Sequence, residues 1–151
     1  MIIEKANITD AEEILALQKL CYISEAEIYS DHTIPPLIQT LDEIKAEFQE
    51  YYFLKALDEG KIIGSVRARI SKPGTCYIGR LIVHPDFQNQ GIGTTLMGEI
   101  EKIFHECERW ELITGHLSEK NIKLYEKLNY NIFKTEKLTT DLNLVYLEKI
   151  N

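Results

Sequence analysis

A single mixed α/β domain is the fold class the sequence predicts, and three observations predict it. The length of 151 residues matches one domain. Apolar strand-like runs alternate with segments of helical period, in the order β-α-α-β-β-β-α-β-α-β-β. A loop with two glycines, Gly91 and Gly93, joins a strand to a helix, where the backbone must meet something closely.

The elements follow in order. "MIIEKA" reads as a first strand. "TDAE" carries a capping-box pattern, with Thr9 as N-cap and Glu12 three residues on. Ala11, Ile14, Leu15, Leu17 and Leu20 then form one apolar helical face. From Tyr22 to Gln39 the period breaks, and Pro35-Pro36 bars a helix, which predicts a long loop or broken helix. Loops of that length in a compact domain are commonly functional. Thr40 and Glu43 repeat the capping box ahead of Leu41, Ile44 and Phe48. "YYFLKAL", "IIGSVRARI" and "CYIGRLIV" are three strands of a meander, separated by "DEGK" and by "SKPGT" with its Pro73-Gly74 breaker. Ile92, Leu96, Ile100 and Ile103 mark the helix after the glycines. "RWELIT" is the next strand, and "SEKNIKLYEKLNY" a shorter helix with Ser118 as N-cap and Asn129 as a left-handed C-terminal stop. "YNIFKTE" and "LNLVYLEK" close the chain as strands.

Composition excludes several classes. With 44% hydrophobic and 27% charged residues, the chain has enough apolar content to fold. A net charge of -7 without a basic stripe argues against nucleic acid as partner. Cys21, Cys76 and Cys107 are odd in number and lack CxxC spacing, so they read as reduced, buried thiols of a cytoplasmic protein, with no metal site. No apolar run approaches membrane-spanning length, and the charged N-terminal segment is unlike a secretory signal. Arg67 and Arg69 share one strand face and are expected to serve in an ion pair.

A glycine loop between strand and helix is a recurrent anion cradle, because free N–H groups and the helix dipole converge there. A P-loop needs a lysine after its last glycine, and here Gly93 is followed by Thr94 and Thr95. A dinucleotide fingerprint needs a small residue three positions after Gly93, where Leu96 stands. "QNQGIG", Gln88 to Gly93, instead resembles the Q/R-x-x-G-x-G/A loop of the GNAT superfamily of N-acetyltransferases. "LIVHPDF" before it is similar to that family's strand end, and "NIKLYEKLNY" to its second cofactor segment, with Asn121 and then Tyr125. The family's usual glycine at the end of that segment is Asn129 here, a residue that also enters the left-handed region.

The resemblance implies a largely antiparallel mixed sheet, splayed between the fourth and fifth strands and flanked by about four helices, with residues 1–151 as one domain. It implies acetyl-CoA as cofactor. The diphosphate would lie on the backbone amides of Gln88, Asn89, Gln90, Gly91, Ile92, Gly93 and Thr94. The pantetheine arm would bond the main chain of Leu81 and Val83 in the splay, with Gly79 marking a bulge that opens it. An amide near Leu81 or Ile82 would polarise the thioester carbonyl. Asn121 would bond a cofactor amide, and Tyr125 would be the general acid for the leaving thiolate.

The motif leaves the base open among Glu25, Glu27, Asp31, His32 and His116, with His84 a weaker choice. The early segment is expected to wall the acceptor site with Glu25, Glu27, Tyr29 and Asp31, joined by His116, which suits a small cationic amine. The expected reaction is acetyl transfer to a primary amine by direct attack in a ternary complex. Alternatives are a protein N-terminus or lysine as acceptor, or a non-catalytic CoA-binding module. The two C-terminal strands offer an edge for a homodimer.

Overall fold

A computed structural model describes residues Met1 to Asn151. Seven strands form one sheet: β1 (Ile2–Lys5), β2 (Tyr52–Asp58), β3 (Lys61–Lys72), β4 (Thr75–Val83), β5 (Arg109–Gly115), β6 (Asn131–Lys137) and β7 (Asn143–Ile150). The spatial order is β1-β2-β3-β4-β5-β7-β6. Every neighbouring pair is antiparallel except β4 and β5, which run parallel. Six helices surround the sheet: α1 (Ala11–Cys21), α2 (Ile23–Tyr29), α3 (Pro35–Ile38), α4 (Leu41–Glu47), α5 (Ile92–Ile103) and α6 (Glu119–Lys127). No helix is long and apolar enough to cross a membrane.

The β2–β3 hairpin turns at Glu59 (φ 49°) and Gly60 (φ 79°). Two consecutive positive φ angles match the twist of the flanking strands. The larger apolar cluster packs α5 and α6 against one face, with Leu96, Met97, Ile100, Ile78 and Leu147 at its centre. A smaller cluster packs α1 and α4 against the other face, through Ile14, Leu17, Ile44, Phe53 and Ile82. β4 therefore feeds both clusters, Ile78 to one and Ile82 to the other.

Three local expectations are corrected. The first capping box is Asn7 with Asp10, not Thr9 with Glu12: Thr9 N–H donates to Asn7 Oδ1 at 3.0 Å and Asn7 N–H to Asp10 Oδ2 at 3.0 Å. A one-turn 3₁₀ segment therefore precedes α1. Pro35-Pro36 opens α3 rather than barring it, because the first helical positions need no N–H donor. The early segment takes the broken-helix form of its expectation, with α2 ending at Ser30 in the left-handed region before α3. Ser118 occupies the N-cap position of α6 but makes no side-chain cap, because its hydroxyl is used elsewhere. The Thr40–Glu43 capping box is present as expected. Asn129 (φ 73°) ends α6, with Tyr130 N–H donating to Tyr125 C=O and Asn129 N–H to Glu126 C=O, both at 3.0 Å. These two bonds make a Schellman stop, with Tyr130 packed edge-to-face on Tyr125.

Candidate active site

The site arises where β4 and β5 part. They pair only at Thr75–Arg109, Cys76–Trp110 and Tyr77–Glu111, then diverge. A bulge coincides with the divergence. β3 advances from Ser65 to Arg67 while β4 retreats from Ile82 to Gly79, one residue more. The left-handed residue is Arg80 (φ 51°), not Gly79. Gly79 is required for a different reason, since a Cβ there would lie 3.2 Å from the Tyr77 ring.

Beyond the bulge the amide directions follow from register. His84 N–H donates to Ile63 C=O at 2.7 Å, and Ile82 stands opposite Ser65. Antiparallel pairs alternate, so Ile82 directs its amide groups at β3. Leu81 and Val83 direct theirs into the splay. Of the two amides expected to polarise a carbonyl there, Leu81 is available and Ile82 is committed to the sheet. The Val83 carbonyl already accepts from Cys21 Sγ at 3.3 Å and from Gln88 Nε2 at 3.2 Å.

The splay opens into a cleft of about 790 Å³. Its lining includes Leu81, Ile82, Val83, Gln88, Asn89, Gly91, Ile92, Gly93, Thr94 and Asn121 from the expected cofactor set, and Glu25 from the acceptor set. Gln90 is exposed in the same loop but does not line it. Asn89 (φ 63°) and Gly91 (φ 80°) turn the loop into the start of α5. The first intrahelical bond is Thr95 N–H to Gly91 C=O at 3.0 Å, which leaves the amides of Ile92, Gly93 and Thr94 free at the positive end of the helix. Gly91 meets nothing within 4 Å and is fixed by its φ. Gly93 differs. A Cβ there would make ordinary contacts of 3.6 to 3.8 Å with Leu124, Leu81 and Val83. The fold thus has room for a methyl group at 93, as the glycine-or-alanine position of the loop motif allows.

The opposite wall is a hydrogen-bonded relay that sequence reasoning did not find. Leu117 N–H donates to the Tyr29 hydroxyl at 3.0 Å, and that hydroxyl lies 2.8 Å from Ser118 Oγ. Ser118 Oγ donates to Glu25 Oε2 at 2.5 Å, and Asn121 Nδ2 to Glu25 Oε1 at 3.3 Å. α2 is thereby tied to the start of α6. Bonds aligned towards one carboxylate reinforce one another. Tyr22 and Cys21 also line the cleft, so Cys21 is not simply a buried apolar filler. Lys120 is the one basic side chain on the lining. These residues are 90-odd positions apart in sequence and carry no shared motif, so only the fold brings them together.

The remaining expected residues fall elsewhere. Glu27 is exposed and Tyr29 stands behind the wall. Asp31 accepts from Thr33 N–H at 2.8 Å in a local turn, and His32 is exposed. His116 Nδ1 accepts from Asn143 N–H at 2.9 Å, with its ring 6.2 Å from that of Tyr29. His84 Nδ1 accepts from Asp86 N–H at 3.0 Å, and His84 does not line the cleft. Tyr125 is 8% exposed and belongs to the larger apolar cluster, behind Asn121 and Leu124. Its hydroxyl has no protein partner, yet it is not among the sealed, unpartnered atoms, which are Arg67 Nε, Arg80 Nη1 and Trp110 Nε1. Burial, followed by the nearby Tyr22, Tyr77 and Glu25, holds the Tyr125 phenol well above the ordinary tyrosine range.

Comparison with known proteins places this geometry. The solved structure of smu.2055 from Streptococcus mutans UA159 shares the fold at a TM-score of 0.85 and 15% identity, covering 99% of both chains. A PaiA N-acetyltransferase from Thermoplasma acidophilum, solved in complex with coenzyme A, shares it at 0.83 and 22%, covering 100% of both. The ribosomal-protein-S18-alanine N-acetyltransferase of Escherichia coli shares it at 0.81 and 16%, covering 99% of this chain and 92% of that one. In sequence, the chain is 30% identical to the UPF0157 protein YqkA of Bacillus subtilis (strain 168) over 136 residues, which are 90% of this chain and 39% of that protein. The chain thus spans about two fifths of the length of that curated relative. The model of the acetyltransferase (GNAT) family matches residues 11–130, which include the splay, the glycine loop and the whole of α6, and the chain belongs to that family.

Proposed function

We propose that residues 1–151 act as one domain that binds acetyl-CoA in the β4–β5 cleft and transfers its acetyl group to a primary amine. The carrying observation is the pairing of two features: the main chain of Leu81 and the Val83 N–H facing the splay, and a backbone cradle at 91–94 whose first helical amides have no intrahelical partner. Bound acetyl-CoA would supply the activated acyl group as a thioester. Gly91, Ile92, Gly93 and Thr94 hold the diphosphate with amides and helix dipole, since Lys120 is the only basic side chain on the lining. Leu81 and Val83 extend the sheet ladder to an amide-rich arm, and the Leu81 N–H stabilises a developing oxyanion.

Two proton movements remain for the protein. An alkylammonium of pKa ~10.4 must lose a proton before it attacks. Glu25 is the only carboxylate or imidazole of the expected bases on the cleft lining, and it takes that proton. Tyr125 then serves the departing thiolate. A phenol held above its ordinary range is a far weaker acid than a thiol of pKa about 8.5. Tyr125 therefore stabilises the thiolate by donating a hydrogen bond instead of surrendering its proton outright. Asn121 holds Glu25 in place and lies within one turn of Tyr125 on α6.

A melting curve with and without CoA, run beside a free-thiol assay over a panel of amines, tests this reading. Stabilisation by CoA and thiol release that depends on the amine are expected. No stabilisation at millimolar CoA overturns the cofactor assignment. Glu25→Gln is expected to lower kcat while leaving stabilisation by CoA unchanged, and unchanged turnover removes Glu25 as base.

A further inference from the structure

The hydrogen-bonded wall opposite the glycine cradle has a fixed direction. A backbone N–H can only donate, and a carboxylate can only accept. At one end Leu117 N–H donates to the Tyr29 hydroxyl oxygen at 3.0 Å. At the other, Glu25 Oε2 accepts from Ser118 Oγ at 2.5 Å. Ser118 has one hydroxyl proton and spends it on Glu25. The 2.8 Å bond between the two hydroxyls is therefore donated by Tyr29 to Ser118 Oγ. All three bonds point the same way, from the main chain of the β5–α6 turn to one carboxylate oxygen.

The fold gives up ordinary local contacts to keep this chain of bonds. Ser118 stands at the N-cap of α6, whose first main-chain bond is Ile122 N–H to Ser118 C=O at 3.0 Å. A serine there ordinarily caps the helix with its side chain, and this one does not. It is 2% exposed, so its hydroxyl is committed to Tyr29 and Glu25 and shielded from water. Gly115 ends β5 without a left-handed φ, yet a Cβ there would lie 2.6 Å from Tyr29 Cζ. Glycine at 115 is thus what lets the phenol reach the turn. The two oxygens of Glu25 are held unequally. Oε2 is gripped by Ser118 at 2.5 Å, and Oε1 only loosely by Asn121 at 3.3 Å. Oε1 is the oxygen with capacity left to accept, on a residue that lines the cleft.

We propose that Ser118 and Tyr29 are positioning residues, which fix Glu25 by Oε2 so that Oε1 receives the proton of the acceptor ammonium. This rests on the reading of Glu25 as base. One proton moves. An ammonium N–H bond breaks, an O–H bond forms on Oε1, and the nitrogen keeps the electron pair with which it attacks the thioester carbonyl. Ser118 and Tyr29 retain their own protons, because their bonds run to the other oxygen. Tyr29 does not line the cleft, so its hydroxyl acts on turnover only through Ser118.

The test is a double-mutant cycle on the full chain, read by thiol release with the best amine of the panel. Ser118→Ala is expected to lower kcat by about 10- to 100-fold, as loss of a hydrogen bond to a charged group gives. Tyr29→Phe, which keeps the ring, is expected to lower it by about 3- to 10-fold. KM for the amine and stabilisation by CoA should stay within about 3-fold and unchanged, respectively, in both. Glu25→Gln still offers Ser118 an acceptor and so leaves the wall in place. In that background Ser118→Ala should cost less than about 2-fold more, because residues that act through one group are not additive. An unchanged kcat in both single variants overturns the proposal. So does the same fold-loss from Ser118→Ala with and without Glu25, which marks a purely structural contact. Glu25→Gln that turns over as wild type does removes the base and the proposal with it, whereas an impaired Glu25→Gln beside a fully active Ser118→Ala removes the positioning role alone. No turnover of any amine removes the transferase reading and the proposal that rests on it, and stabilisation by CoA reports separately on the cofactor.

Discussion

Gly93→Ala and Gly91→Ala separate a glycine position that tolerates a methyl group from one whose backbone requires glycine. The added Cβ would sit 3.6 Å from Leu124, 3.7 Å from Leu81 and 3.8 Å from Val83, all ordinary contacts. Position 93 is the second residue of α5 and has no positive φ. Alanine removes backbone freedom from the unfolded chain and improves helix propensity, so the unliganded protein should gain about 0.5–1 kcal/mol. For a chain of this size that raises Tm by roughly 1–4 °C. Binding should hold to within a few-fold in Kd for CoA, because the loop motif takes alanine as well as glycine at this position and the amide of residue 93 stays free. Calorimetric titration with CoA and a melting curve on the same sample check both. Gly91→Ala is the contrast. Nothing lies within 4 Å of its Cβ, but its φ of 80° is left-handed, so it should lose about 1–2 kcal/mol of stability through backbone strain. Gly93→Ala protein that melts lower, or that loses CoA affinity by more than about 10-fold, refutes this reading of the cradle.

The other outcomes follow from the surrounding groups. Tyr125→Phe should leave CoA stabilisation intact, because the hydroxyl has no protein partner, and should lower kcat about 10- to 100-fold as one hydrogen bond to a charged sulfur is lost. Unchanged turnover would leave Tyr125 as a core aromatic only. Gly115→Ala would push a Cβ to 2.6 Å from Tyr29 Cζ and onto its hydroxyl, so it should untie α2 and cost about 1–3 kcal/mol, seen as a lower Tm. Alkaline melting should reveal the buried Cys76 thiol and the half-buried Cys21 thiol and Tyr22 phenol. Burial pushes Cys21 and Cys76 up to about 12, and Tyr22 up to about 12. In the unfolded chain these groups ionise near pH 8.5 and 10, so their contribution is complete below about pH 8.5 and lost as pH rises towards 12. A Tm that stays level from pH 8 to 11 would contradict their burial.

Much of the frame was legible because local rules and tertiary packing agreed. The seven strands, the helix after the glycines, the Thr40 capping box and the Asn129 stop all rest on short-range pattern, and the structure contains each. Local reading failed where two local solutions compete. Asn7 and Thr9 both precede α1, and Asn7 takes the cap because its side chain reaches Thr9 N–H while Asp10 returns the bond. Pro35-Pro36 reads as a breaker but is a helix start, a difference set by which N–H groups are needed. Gly79 reads as the bulge, but the structure gives the left-handed φ to Arg80 and leaves Gly79 to make room for Tyr77.

By itself the sequence determined the order of elements and the backbone cradle, since a loop of glycines between strand and helix is a contiguous feature whose chemistry lies in the main chain. Tertiary structure decided the opposite wall. Glu25 meets Ser118 and Asn121 only because β4 and β5 diverge after three paired residues and α2 packs across the gap. Those contacts join residues far apart in sequence, and side-chain placement across a splayed sheet follows from register and packing, which no local pattern encodes.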